Sequence, residues 1–197
     1  YAYVLFISMG ILAVEIIGWW LSNSLSLLGD SGHVAADAIA ISVALLISIR
    51  VRRQTLRQAR ATRTFGFAIQ ILLLAVVGTW VLIEGVMRFF EPPHIFPLPL
   101  FIAAVMGGVA NLWQVSLLEG GFRNFTAHGT RAHLLSDFVT SVGVVVGAIV
   151  IYIADWHVID PILSIAIALF IFYQVFRLFA LANRERKRTR TDSTPRR

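Results

Sequence analysis

The sequence predicts an all-α, polytopic membrane protein with six transmembrane helices and both termini in the cytoplasm. Of its 197 residues, 57% are hydrophobic and only 14% are charged, with a mean hydropathy of +0.77. A soluble domain carries about 25% charged residues. The remaining evidence for this fold class is the spacing of the apolar runs and the placement of the arginines.

Six apolar runs are long enough to cross a hydrocarbon core of about 30 Å. Short polar or proline-containing segments such as Ser22-Asn23-Ser24 and Glu91-Pro92-Pro93 separate them. The predicted spans are Tyr3–Leu21, Leu25–Ile49, Phe65–Phe90, Leu98–Leu118, Ala132–Ile153 and Ile159–Ala182.

Basic residues cluster in every second connection, which predicts the orientation of the chain. Arginines crowd the connections after the second and fourth spans and the tail after the sixth, whereas Arg88 is the only basic residue near the other connections. Positive charge marks the cytoplasmic side. We therefore expect a transport unit over residues 1–183, followed by a basic, disordered cytoplasmic tail over 184–197. Because the chain begins with Tyr1, we also expect its natural N-terminus to lie upstream.

The second predicted helix carries Asp30, His33 and Asp37 at membrane depth. Ionisable groups there are costly and usually mark a pathway or a ligand site. Residues three or four apart share one helix face, so these three side chains point the same way. The same His-x-x-x-Asp spacing recurs in the fifth helix at His133 and Asp137.

Two such pairs supply two imidazoles and two carboxylates. This donor set suits zinc and accepts similar ions such as cadmium or cobalt, and the absence of cysteine excludes thiolate ligands. We predict a metal site made of His33, Asp37, His133 and Asp137. The alternative is that the pairs only satisfy each other as buried hydrogen-bonding groups.

Asp30 has two interpretations. It could orient the ligand His33 as a hydrogen-bond acceptor, or it could accept hydrogen bonds from Ser or backbone groups near the outer end of the helix. For the other buried polar residues we favour structural roles. Asn111 and Gln114 are expected to bridge neighbouring helices, and Glu15 is expected to pair within the bundle, with a proton relay as the alternative.

The segment Ser-Leu-Ser-Leu-Leu-Gly-Asp-Ser-Gly-His-Val-Ala-Ala-Asp, which ends at Asp37, resembles the second transmembrane helix of the cation diffusion facilitator family. Thr64-Phe65-Gly66-Phe67, Asn111 and Asp160-Pro161-Ile162 resemble other segments of that family. The resemblance implies a zinc transporter that exchanges a cytoplasmic divalent cation for protons by alternating access, with His33, Asp37, His133 and Asp137 as its transport site. It also implies a homodimer.

Two departures from the family pattern stand out. Ala68-Ile69-Gln70 replaces the usual charged pair of the third helix, and the family's cytoplasmic ferredoxin-like domain after the sixth helix is missing. We therefore expect a membrane-only form. The arginine-rich composition and the lack of a histidine-rich loop favour a bacterial inner membrane.

Two other classes of function remain open. The first is a membrane metal sensor or structural subunit without transport. The second is an intramembrane metalloenzyme, which is disfavoured because the chain has no His-Glu-x-x-His motif and four ligands leave no open position for water. The arginines lie in short connections without interleaved aromatic residues, which argues against nucleic-acid binding. We expect no enzymatic activity and no organic cofactor.

Overall fold

A computed structural model of the protein describes residues 2–50, 56–119 and 125–192. This part of the chain contains six helices and no strand, which confirms the predicted all-α class. The helices are α1 (Ala2–Ser22), α2 (Leu25–Arg50), α3 (Leu56–Phe90), α4 (Pro97–Glu119), α5 (Phe125–Ala154) and α6 (Ile159–Asp192).

Three helices extend well beyond the apolar runs that predicted them, and the other three differ from their runs by only one residue at an end. Helix α3 begins at Leu56 and α5 at Phe125, and α6 continues to Asp192. The predicted spans counted only residues suited to lipid, whereas Arg, Lys, Gln, Glu and Ala are good helix formers that extend a helix into water. The basic residues up to Asp192 are thus helical, and the division into a transport unit and a disordered tail stays a prediction.

Helix α2 occupies the centre of the bundle. It packs against α1, α3, α5 and α6, while α4 packs most extensively on α5, and α3 on α6. The main apolar core includes Leu27 and Ala36 of α2, Leu74 of α3, and Ile167 and Ile171 of α6. The helix that carries Asp30, His33 and Asp37 therefore packs against four of the other five helices.

The distribution of polar and apolar side chains is that of a membrane protein. Large apolar side chains such as Phe6, Phe90 and Tyr152 are about four-fifths exposed, at 81%, 77% and 78%, whereas Glu15 and Gln114 are fully buried. Lipid accepts the apolar surface and the bundle interior shelters the polar groups. In the described residues, α3, α4, α5 and α6 are each long and apolar enough to cross a membrane, and α1 contributes a shorter apolar stretch, Phe6–Ser22.

The start of α2 is held by Asp160, a buried carboxylate at the start of α6. Its Oδ1 accepts hydrogen bonds from the hydroxyls of Ser24 and Ser26 at 2.5 and 2.6 Å. Its Oδ2 accepts one from the backbone N–H of Leu25 at 2.8 Å. The first N–H groups of a helix lack acceptors within the helix. Here a residue of another helix, Asp160, supplies an acceptor. The carboxylate of Asp160, a residue of α6, therefore caps α2.

The loops at the same end of the bundle are joined by hydrogen bonds. Helices α1 and α5 end with Asn23 and Asp155 in the left-handed conformation, at φ 60° and 51°, which Asn and Asp tolerate better than most residues. The Arg88 guanidinium donates to the Asn23 carbonyl at 2.9 Å, and the N–H of Ile95 donates to His157 Nδ1 at 3.2 Å. These bonds fix the end of the bundle at which α2 begins.

Replacing Asp160 should destabilise the protein more than the same change at an exposed site. In Asp160→Asn, one carboxylate oxygen becomes an NH2 group that cannot accept, so a buried donor of α2 loses its partner at a cost of about 1–3 kcal/mol. The midpoint of thermal unfolding in detergent should fall. Asp155→Asn is the matched control, because the Asp155 side chain is 90% exposed, and equal midpoints for the two variants would contradict the capping role.

Gly18 permits a close approach of α1 to α4. A Cβ atom added to Gly18 would lie 2.3 Å from the Cβ of Ala103, whereas one added to Gly10 meets nothing within 4 Å. Gly18→Ala should therefore force the helices apart and destabilise the bundle by about 1–3 kcal/mol. Gly10→Ala should leave stability unchanged or raise it by up to about 1 kcal/mol, because alanine favours helix. Thermal unfolding of the two variants measures the difference in stability. Equal unfolding midpoints would contradict a close contact between α1 and α4.

Candidate metal centre

The structure brings together one residue from each predicted pair. His33 Nε2 of α2 lies 3.3 Å from Asp137 Oδ1 of α5. The two residues are only 3% and 5% exposed, so both polar groups lie well inside the bundle. An imidazole and a carboxylate thus face each other across the interface between α2 and α5.

A third helix reaches the same imidazole. The side-chain amide nitrogen of Gln174, on α6, lies 3.2 Å from His33 Nε2. Sequence reasoning did not identify Gln174. Its only signal is a polar residue within the apolar run of the sixth helix, and one polar residue in such a run does not reveal which neighbour it faces.

Asp30 also connects α2 to α5. The hydroxyl of Thr140 lies 2.8 Å from Asp30 Oδ1, and that of Ser141 lies 3.2 Å from Asp30 Oδ2. Both hydroxyls also lie within reach of the backbone carbonyl of Asp137, at 2.8 and 3.0 Å. Each single hydroxyl hydrogen therefore has two acceptors, one on either helix. The geometry matches the interpretation of Asp30 as a buried acceptor for hydroxyl groups, and a role in orienting His33 stays a prediction.

The predicted ligands Asp37 and His133 belong to α2 and α5, but their side chains lie outside the described part of the structure. Among the side chains that are described, no three His, Asp or Glu residues cluster closely enough to hold a metal ion. Two of the four predicted ligands are therefore placed together, and the complete four-residue site stays a prediction.

Other buried polar groups lie on α1 and α4. Ser8 of α1 donates to Gln114 Oε1 of α4 at 3.4 Å, as the predicted bridging role requires. Within the described residues, neither carboxylate oxygen of Glu15 has a hydrogen-bond partner, and neither does Asn111 Nδ2. The Glu15 carboxylate instead lies against Gly107, where an added Cβ would be 2.6 Å from Oε1. The predicted pairing of Glu15 is thus absent from the described contacts.

A bundle with an apolar exterior and a buried histidine and aspartate facing each other between two helices defines an integral membrane protein with an internal polar site. The model of the cation efflux transmembrane domain matches residues 2–182. The chain belongs to this family of transporters, the cation diffusion facilitators, which confirms the resemblance found in the sequence.

Curated relatives are similar over most of this chain. The zinc transporter ZitB of Yersinia pseudotuberculosis is 36% identical over 176 residues, which cover 85% of this chain and 55% of the relative. The cadmium, cobalt and zinc/H(+)-K(+) antiporter of Bacillus subtilis is 31% identical, covering 82% and 54%. The metal cation efflux system protein CzcD of Cupriavidus metallidurans is 31% identical, covering 81% and 52%. The chain thus spans about half the length of these relatives.

Thr140 should contribute to stability through Asp30. Thr140→Val keeps the side-chain shape but removes the donor to a buried carboxylate, which should lower the free energy of unfolding by about 1–3 kcal/mol. Thr79→Val is the matched control, because the exposed Thr79 hydroxyl bonds only a carbonyl of its own helix, that of Ala75, at 2.7 Å. Denaturant titration in detergent compares the two variants. If Thr79→Val lowers the free energy of unfolding as much as Thr140→Val does, the stabilising hydrogen bond from Thr140 of α5 to Asp30 of α2 is refuted.

Proposed function

We propose that this protein transports zinc or a related divalent cation across the membrane in exchange for protons, with His33, Asp37, His133 and Asp137 as its transport site. The observation that carries the proposal is the contact between His33 and Asp137. Both side chains are buried, and titratable groups at this depth usually mark a pathway or a ligand site.

The distance between the two donor atoms suits a zinc ion. Zinc lies about 2.0 Å from nitrogen and oxygen ligands in a tetrahedron, in which two ligand atoms are about 3.3 Å apart. His33 Nε2 and Asp137 Oδ1 are 3.3 Å apart. An ion could therefore bind both atoms with little movement of either helix.

The register of α2 against α5 supports the other two ligands. Asp30 lies opposite Thr140 and Ser141, and His33 lies opposite Asp137, so the helices run antiparallel. One further turn along α2 leads to Asp37, and the corresponding turn of α5 leads to His133. A second His–Asp pair would then lie beside the first and complete a set of four donors.

The substrate proposal also rests on the relatives. Their names specify zinc in the Yersinia protein, and cadmium, cobalt and zinc in the Bacillus protein. The four proposed ligands fit this group of ions, because imidazole and carboxylate bind all three. We propose zinc as the main substrate, and transport out of the cytoplasm as its direction.

Proton exchange follows from the chemistry of the ligands. Metal binding requires neutral imidazoles and ionised carboxylates, so protons and metal compete for the same atoms. Protons entering from outside would displace the ion, and their release to the cytoplasm would restore the site. Among the relatives, the name of the Bacillus antiporter includes H(+).

The arrangement in the membrane completes the proposal. The arginines that follow the second, fourth and sixth spans favour cytoplasmic termini, and the relatives named above are bacterial proteins, which supports a bacterial inner membrane. The family resemblance supports a homodimer. Transport needs no organic cofactor and no enzymatic step.

Zinc uptake into proteoliposomes with an imposed pH gradient tests the function. Wild-type protein should take up zinc only with the gradient. His33→Ala, which removes a ligand, and Asp137→Asn, which removes the negative charge of another, should each lower the initial rate at least about ten-fold. His94→Ala and Asp155→Asn are the matched controls, since both residues lie in loops at the end of the bundle and are exposed. Both controls should transport like the wild type.

The other outcomes separate the alternatives. Zinc flux without counterflow of protons would exclude the antiport mechanism but keep the transporter. Stoichiometric zinc binding without any flux would indicate a metal sensor or structural subunit. Unchanged flux and zinc affinity in Asp137→Asn would rule out the proposed site.

A further inference from the structure

Gln174 lies at the proposed transport site, although it belongs to neither ligand-bearing helix. Its amide nitrogen is 3.2 Å from His33 Nε2, and Asp137 Oδ1 is 3.3 Å from the same imidazole nitrogen. Helix α6 packs against α2, α3 and α5, so Gln174 approaches the imidazole from a third helix. We propose that Gln174 competes with the metal ion for His33 and thereby lowers the affinity of the site.

The competition follows from the number of lone pairs on the imidazole. An amide nitrogen only donates hydrogen bonds, so its contact with His33 is a bond when the ring carries its hydrogen on Nδ1 and presents a lone pair at Nε2. That nitrogen has a single lone pair in the ring plane. It can accept a hydrogen bond from Gln174 or bind a metal ion, but not both at once.

The amide hydrogen bond therefore favours the His33 tautomer that can bind metal. At the same time, the amide occupies Nε2, the atom to which the metal would bind. A metal ion entering between His33 and Asp137 has to displace the Gln174 N–H, and the N–H returns to the nitrogen when the ion leaves. A transport site must release its substrate as well as bind it. A neutral donor suits this role, because it adds no charge to a site whose cargo is a cation.

The contact between Gln174 and His33 also couples α6 to metal binding. Displacement of the amide frees α6 from α2 at this point, while Asp160 still holds the starts of α6 and α2 together through Ser24, Leu25 and Ser26. Gln174 is thus the polar contact between α6 and α2 that metal binding breaks. This inference rests on the proposed function, since it assigns His33 Nε2 as a ligand.

Replacing Gln174 with methionine tests the inference. Methionine has a similar length and no N–H group, so Gln174→Met should bind zinc about two- to ten-fold more tightly, the range expected for one lost competing hydrogen bond. Zinc affinity is measured on purified full-length protein at fixed pH by competition with a fluorescent indicator. The affinities for zinc and for cadmium should rise by the same factor, because either ion displaces the amide.

Transport kinetics separate competition from a merely structural role. In proteoliposomes, Gln174→Met should lower both the half-saturating zinc concentration and the maximal rate, because tighter binding slows release. A structural defect would lower the rate without improving the affinity. Gln114→Met is the matched control, since Gln114 is also a buried glutamine but contacts Ser8 on α1, and its zinc affinity should equal that of the wild type.

The opposite results would overturn the inference. Weaker zinc binding in Gln174→Met would show that the amide raises the zinc affinity of the site rather than lowering it, and unchanged binding would show that the amide does not compete. Gln174→Leu repeats the test if the methionine variant unfolds. Failure of the wild type to bind zinc would refute the proposed function instead, so the two failures are distinguishable.

Discussion

The structure depends on a polar contact that the membrane makes expensive to leave unsatisfied. His33 and Asp137 face each other at 3.3 Å between α2 and α5, and one turn away Asp30 receives the hydroxyls of Thr140 and Ser141. Within lipid, these groups find partners only inside the protein. The need to bury them together fixes the register of α2 against α5 and accounts for the central place of α2 in the bundle.

The rest of the bundle serves to hold α2 in that place. Asp160 binds its first turn from α6, and small residues let the helices pack closely. Where a Cβ atom would clash, as at Gly18 against Ala103, the backbone of α1 lies against a short side chain of α4, as is common where helices associate in membranes. Stability and site geometry are therefore linked, since a change in the packing of α2 also changes the distance from His33 to Asp137.

The described contacts of Asp30 and His33 include neutral donors. The hydroxyls of Thr140 and Ser141 on α5 contact Asp30, and the amide of Gln174 on α6 contacts His33. A fixed cation would compete strongly with a divalent ion for the carboxylates. Neutral donors such as those of Thr140 and Gln174 can instead be exchanged, which suits a site whose cargo must enter and leave.

The sequence by itself determined the fold class and the six helices, and it predicted the two helices that carry the proposed site. Hydrophobic runs of membrane length and a repeated His-x-x-x-Asp spacing are local patterns, so they could be interpreted without knowing how the helices pack. The same argument explains the errors at helix ends, because the hydrophobicity that reveals α3 and α5 says nothing about helical turns outside the lipid.

Only the tertiary structure decided which residues meet. His33 faces Asp137, Asp30 faces the hydroxyls of α5, Asp160 of α6 caps α2, and Gln174 reaches His33 from α6. Each of these pairs joins residues more than a hundred positions apart. Their contacts depend on the rotation and depth of whole helices, which the summed packing of the bundle sets and no local sequence pattern encodes.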